Sequence, residues 1–300
     1  MTNETLRRVY LAHHYADIGD VRLHYVEAGE GPLVLLLHGF PQFWYQWRHQ
    51  IPALVEAGFR VVAPDMRGYN LSDKPPGVQA YRVELLARDV ERLILACGEQ
   101  KADVVGHDWG AIVAWIVAMR HPGRVGRLAI LNVPHPARFP GGLLIPMQLL
   151  RSSYVFFFQI PRLPEAVIRA DDFAFLRYAL GRDPVRPGAF AAEDIERYVE
   201  AMAQPGALTA TLNYYRALLQ NPRETWALLK RVEAPVLVIW GERDRFLSRR
   251  LAEPPHLWVP NLGPVKRLPD ASHWVAEDRP LEVNTLLLDF LRSPLSTLSR

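Results

Sequence analysis

Short apolar runs recur at residues 33–37, 60–63, 102–105, 127–131 and 235–240, most of them β-branched or leucine-rich, and segments of helix length separate them. A strand covered on both faces has no solvent side to mark with polar residues, so runs of this kind predict a buried parallel sheet. Residues 83–95 and 111–119 carry apolar side chains at helical spacing, which makes the repeating unit a strand followed by a helix. Residues 21–26 behave differently: they alternate apolar with polar after the Gly19-Asp20 turn, as one arm of an antiparallel hairpin does. A last strand-like run covers residues 265–268.

Between about His135 and Glu224 the alternation stops. Helical segments dominate there, punctuated by Pro161, Pro164, Pro184 and Pro187, and strand-type runs resume only at Pro235. The simplest topology is a helical insertion between the sixth and seventh principal strands. Residues 1–134 and 225–300 would then form an α/β core, and residues 135–224 a helical cap over the strand ends, where open α/β sheets bind ligands.

Composition narrows the class. A chain of 300 residues can bury about 75% of its unfolded surface without metals or disulfides. With 49% hydrophobic and 22% charged residues, it matches ordinary globular proteins. The net charge of +3 is small and the arginines are scattered, so nucleic acid is not an expected partner. The most apolar runs, around 33–37 and 154–160, are too short to span a bilayer, and no membrane association is expected. Met1 to Arg8 has no apolar stretch behind it, and Cys97 is the single cysteine; both point to a cytoplasmic protein. Without a secretory signal, the glycosylation pattern Asn3-Glu4-Thr5 carries no weight. Neither a metal nor a cofactor is expected.

The chemistry centres on Gly106-His107-Asp108-Trp109-Gly110, which follows the run 102–105 and precedes the helical stretch from Ala111. This is a glycine-flanked nucleophile elbow in its strand-turn-helix setting. An aspartate in an isolated glycine-rich turn reads as a helix cap; here the setting and the motifs below favour a nucleophile. Carboxylate attack on an ester carbonyl would give a mixed anhydride, less stable than the ester it came from, whereas attack on saturated carbon gives an ordinary alkyl ester. Asp108 therefore points to displacement at saturated carbon. A carboxylate is ionised at neutral pH and needs no base, which frees a histidine to activate water in a second step.

His38-Gly39-Phe40-Pro41 closes the run 33–37, where the second oxyanion donor belongs. The backbone N–H groups of Phe40 and Trp109 are expected to form the oxyanion hole, and Phe40, Pro41 and Trp109 to contact substrate. His38 is read as structural. The histidine expected to act is His273, in Ser272-His273-Trp274 after the run 265–268, and its acid is Asp244, after the run 235–240. The order Asp108, Asp244, His273 is that of the α/β-hydrolase triad. Asp270 is the chief rival acid but lies close to His273 in sequence, and Asn132, at the alternative acid position, is not acidic.

His38 to Pro41 with Trp44 and Trp47, Asp65-Met66-Arg67-Gly68-Tyr69, Gly106 to Gly110 and Ser272 to Trp274 together resemble the epoxide hydrolase branch of the α/β-hydrolases, over essentially the whole chain. The resemblance implies an α/β-hydrolase fold, an eight-stranded, mostly parallel sheet flanked by helices with an inserted helical cap. It implies hydrolysis of an epoxide to a vicinal diol through an alkyl ester on Asp108. In that family two lid tyrosines serve the alkoxide left by ring opening. Leu212-Asn213-Tyr214-Tyr215-Arg216 resembles the segment in which the tyrosine before arginine is one donor, which implies Tyr215. Ser153-Tyr154-Val155-Phe156-Phe157-Phe158-Gln159 resembles the other, which implies Tyr154. Tyr214 and Tyr178 are the alternatives, and Phe156 to Phe158 are expected to pack the lid rather than touch substrate.

Haloalkane and fluoroacetate dehalogenases share the elbow and the histidine, so the triad does not choose the substrate. Fluoroacetate dehalogenases carry arginine directly after the nucleophile, where this chain has Trp109, and haloalkane dehalogenases often have asparagine in place of Phe40. Both differences favour an epoxide over a haloalkane or haloacid. A non-catalytic ligand-binding protein on the same fold is a remoter alternative, because all three triad positions are filled. The apolar lid residues Phe139, Leu143, Leu149, Tyr154 and Phe158 imply an apolar epoxide, with water as co-substrate. Monomer and homodimer are both left open.

Overall fold

The computed structural model describes residues 9–294; the segment Met1 to Arg8, with its Asn3-Glu4-Thr5 pattern, lies outside them. Eight strands form one sheet: β1 (Ala12–Asp17), β2 (Arg22–Ala28), β3 (Leu33–Leu37), β4 (Arg60–Pro64), β5 (Ala102–His107), β6 (Val125–Leu131), β7 (Val236–Gly241) and β8 (Lys266–Leu268). Their spatial order is β1-β2-β4-β3-β5-β6-β7-β8. β1 pairs antiparallel with β2 and β2 with β4, and every later pair is parallel. Parallel neighbours need crossover connections, here made by α1 (Gln50–Glu56), α2 (Val83–Ala96) and α3 (Trp109–Arg120). These helices cover both faces, which is why β3, β5 and β7 are buried at every position. The sheet is the α/β-hydrolase sheet that the resemblance implies.

β1 carried no apolar signal because it is an edge strand with most of its side chains, including His13, His14 and Tyr15, exposed. β8 is only three residues long, and its first two side chains are exposed. α3 is the most deeply buried helix: Ala111 and Val113 to Met119 all lie inside, since it runs across the sheet centre directly behind the elbow. At roughly 1.5–3 kcal/mol for each large apolar side chain buried, this helix anchors the nucleophile firmly.

Between β6 and β7 lie seven helices and no strand: α4 (Phe139–Leu143), α5 (Pro146–Arg151), α6 (Ser153–Phe157), α7 (Leu163–Arg182), α8 (Ala192–Ala203), α9 (Ala207–Gln220) and α10 (Pro222–Ala227). α7 is two helices across a break, where Asp171, Asp172 and Phe173 take left-handed backbone angles. The chain then closes with α11 (Val275–Asp278) and α12 (Pro280–Arg292), the latter packed on α1. No helix among the described residues is long and apolar enough to cross a membrane.

Candidate active site

The reactive side chains gather at the carboxyl ends of the parallel strands, brought there from four separate parts of the chain. Asp108 sits between the end of β5 and the start of α3 with φ 49° and ψ −123°, a conformation that costs on the order of 1–3 kcal/mol for a residue with a side chain. Only a very tight turn permits it: a Cβ on Gly106 would stand 2.6 Å from the Gly110 carbonyl oxygen and 2.7 Å from the Ala111 Cα. Gly39, at the end of β3, meets a similar limit, because a side chain there would collide with the Asp108 carboxylate. That close approach lets the next residue, Phe40, donate its backbone N–H to Asp108 Oδ1 at 2.7 Å. The Trp109 N–H is the first of α3, among the donors that a helix leaves without internal partners.

His273 lies in the loop between β8 and α11. Its Nε2 is 3.5 Å from Asp108 Oδ2, and its Nδ1 is 2.8 Å from Asp244 Oδ2. Asp244 follows β7, and its other oxygen accepts the backbone N–H groups of Phe246 at 2.7 Å and Leu247 at 2.8 Å. Its rival Asp270 instead pairs with Arg243 at 2.8 Å on the surface, where it is 60% exposed.

Asn132 was set aside in the sequence as a non-acidic residue, yet it is built into the site. Its Nδ2 donates to Asp244 Oδ2 at 2.8 Å while its Oδ1 accepts the Gly241 N–H at 2.9 Å. It thus fixes the carboxylate oxygen that faces His273. Its place at the end of β6 was the available signal. His107 donates from Nε2 to the His273 carbonyl at 2.8 Å, and burial pushes its own pKa down to about 4. His38 is structural in its contacts: Nε2 accepts the Met66 N–H at 2.9 Å, Nδ1 lies 3.1 Å from the Gly39 carbonyl, and burial brings it to about 4.

The charges are strongly coupled. Burial opposes a charged His273, but the Asp244 and Asp108 carboxylates outweigh it and push the imidazole up to about 10. Burial would likewise raise Asp108; the hydrogen bond and charge of His273, with the Phe40 N–H, instead hold it below the usual carboxylate range. The surroundings thus favour an ionised Asp108 and a charged imidazole beside it.

Above the carboxylate is a cavity of about 110 Å³ whose walls include Phe40, Pro41, Tyr154, Phe158, Tyr215 and His273. The Tyr154 and Tyr215 rings stand 5.8 Å apart. Burial, then the Asp108 charge, raises both phenols far above their ordinary value, which favours their protonated form. The alternatives go elsewhere: Tyr214 donates to the Arg67 carbonyl at 2.6 Å, and Tyr178 is 70% exposed.

Several expectations need correction. Phe158 lines the cavity rather than only packing the lid, while Phe156 is exposed. The Trp109 ring lies edge-on to Tyr215 at 5.0 Å. Leu149 is exposed on α5, and the Leu143 side chain lies outside the described set. Phe175, Leu176 and Ala179 of α7 and Phe246 of the Asp244 loop were missed as lining residues. Nothing in their local sequence separates them from ordinary helix and loop packing.

An eight-stranded sheet with an aspartate at its elbow, an acid after β7 and a histidine after β8 defines an α/β-hydrolase. A family model described as the alpha/beta hydrolase fold matches residues 32–280. The AB hydrolase superfamily protein YfhM of Bacillus subtilis is 45% identical over 282 residues, covering 93% of this chain and 97% of that protein. Human epoxide hydrolase 4 is 40% identical over 291 residues, covering 93% of this chain and 79% of its own. The crystal structure of Bacillus megaterium epoxide hydrolase in complex with an inhibitor superposes with a TM-score of 0.84 at 33% identity, over 93% of this chain and all of that one. The chain belongs to the epoxide hydrolase branch of the α/β-hydrolases.

Proposed function

We propose that the protein hydrolyses an apolar epoxide to a vicinal diol in two steps, with residues 135–224 acting as the cap that supplies the ring-opening donors. The observation that carries this reading is that the Asp108 carboxylate and the Tyr154 and Tyr215 side chains line one largely apolar cavity. Phe40 occupies Oδ1, so Oδ2 attacks an epoxide carbon, and the ring C–O bond breaks toward Tyr154 and Tyr215. An ester joins Asp108 to substrate, and the alkoxide takes the proton of one phenol, which is then reprotonated from solvent.

Alkylation also prepares the second step. The ester is neutral, so one of the two anions that kept His273 protonated has gone, and burial then favours the free imidazole. His273 gives its proton to solvent as the phenol that served the alkoxide regains one from solvent, so the half-reaction balances. The neutral imidazole, oriented by Asp244, takes a proton from water, which attacks the ester carbonyl carbon. Phe40 and Trp109 N–H groups receive the oxyanion on Oδ1; on collapse Oδ2 departs with the diol, whose alkoxide takes the proton of the newly formed Asp108 carboxyl group, leaving the carboxylate and a protonated His273. A cytoplasmic setting accords with Cys97, whose buried thiol is pushed up to about 11 by its surroundings and is correspondingly unreactive.

A substrate panel tests the reading. Styrene oxide-type epoxides should give diol, while haloalkanes and fluoroacetate should release no halide above background. Halide release with every epoxide untouched would transfer the site to the dehalogenases.

A further inference from the structure

Beside the catalytic histidine the core and the insertion are joined by a buried ionic cluster. Arg48, in the core segment that follows the Phe40 loop, is 4% exposed. Its Nη1 donates to Glu277 Oε1 at 2.6 Å and its Nη2 to Asp194 Oδ2 at 3.1 Å. Asp194 belongs to α8 of the insertion and also accepts the Tyr45 hydroxyl at 2.9 Å. Tyr198, one turn further along α8, receives Arg48 Nη1 at 3.2 Å and Gln42 Nε2 at 3.1 Å. One guanidinium therefore spans three parts of the chain. Two carboxylates are reached at once, which suits the planar fork of arginine and not the single ammonium of lysine.

The position of Glu277 gives the cluster its chemical meaning. It lies on α11, the four-residue helix that begins two residues after His273. Its neighbour Asp278 accepts the backbone N–H of Ser272 at 2.7 Å and the Ser272 hydroxyl at 2.6 Å, and Ser272 is the residue directly before His273. Arg186 closes the outer side, donating its backbone N–H to Asp278 at 2.8 Å and its guanidinium to the Glu277 carbonyl at 2.7 Å. Consecutive residues of α11 thus grip the cluster on one side and the histidine loop on the other.

We infer that Arg48 is a positioning residue for the hydrolytic half-reaction: by holding Glu277 against Asp194 it fixes α11, and through Asp278 and Ser272 it sets where His273 stands relative to Asp108. The inference rests on the two-step reading above. Ester formation uses the Asp108 carboxylate and the two phenols, none of which contacts the cluster. Ester hydrolysis needs a water aligned between His273 and Asp108, and a displacement of about 1 Å is enough to cost on the order of 10²-fold in such a step. Disturbing Arg48 is therefore expected to slow the second step selectively.

The test uses Arg48→Lys, which keeps the charge but cannot span both carboxylates, and Glu277→Gln, which keeps an oxygen acceptor and leaves the Arg48 to Asp194 pair in place. Both are made in the full chain and mixed with styrene oxide, with rapid-quench intact-mass measurement and active-site titration. Alkylation should stay within about twofold of wild type while ester hydrolysis slows about tenfold or more. The ester then accumulates, and kcat and KM fall together with kcat/KM unchanged. A merely structural cluster gives less active enzyme whose surviving molecules keep wild-type rates; that result in both variants, or a loss confined to alkylation, overturns the inference. Wild type that forms no ester with any epoxide offered contradicts the two-step reading itself.

Discussion

His273→Gln should trap the protein as its own ester. With the imidazole gone, Asp108 keeps its carboxylate and the Phe40 N–H, and both phenols remain, so ring opening proceeds. Water then has no base, and turnover should fall on the order of 10²- to 10⁴-fold, with an adduct of substrate mass at Asp108 visible in the intact protein. The variant also loses the cation that holds Asp108 below its usual range, which slows alkylation modestly at low pH, where more of the carboxylate is protonated. Unmodified protein after long incubation at neutral pH would mean that the histidine acts before the ester forms.

The second large effect belongs to the lid. Tyr154→Phe or Tyr215→Phe leaves one phenol to receive the alkoxide, so either change alone should slow alkylation while preserving it. The double variant should lose on the order of 10²- to 10⁴-fold in the alkylation rate. Ring packing survives both changes: Tyr154 lies edge-on to Phe158, and Tyr215 to Phe40 and Trp109, and phenylalanine keeps those faces. A loss in alkylation therefore reports the hydroxyls. Near wild-type alkylation in the double variant, measured by stopped-flow or rapid quench, would remove the phenols from the reaction.

Legibility in the sequence followed burial. β3, β5 and β7 could be read because both faces are covered, whereas β1 could not, since its only buried side chain is Ala16. The elbow was legible because its geometry allows so few residues: Gly106 and Gly39 are demanded by contacts under 3 Å, and Asp108 supplies the chemistry between them. His273 and Asp244 followed from chain order at strand ends. Asn132 did not, because its role lies in reaching from the end of β6 across to Gly241 and Asp244 at the end of β7, and its place at a strand end was the one local sign of it. The break in α7 was likewise hidden, as Asp171-Asp172-Phe173 contains neither glycine nor proline. The ionic cluster was the least visible feature. Arg48, Asp194 and Glu277 are far apart in the chain, and each alone reads as a surface charge.

The covalent role of Asp108 is tested most directly by a single turnover in ¹⁸O-labelled water, with enzyme in excess over epoxide. Attack by Oδ2 and hydrolysis at the ester carbonyl carbon require the first diol to carry an unlabelled oxygen from the protein, while one ¹⁸O appears in the peptide containing Asp108. Label found in the first-turnover diol, with none in that peptide, would show that water attacks the epoxide directly and would contradict the ester route.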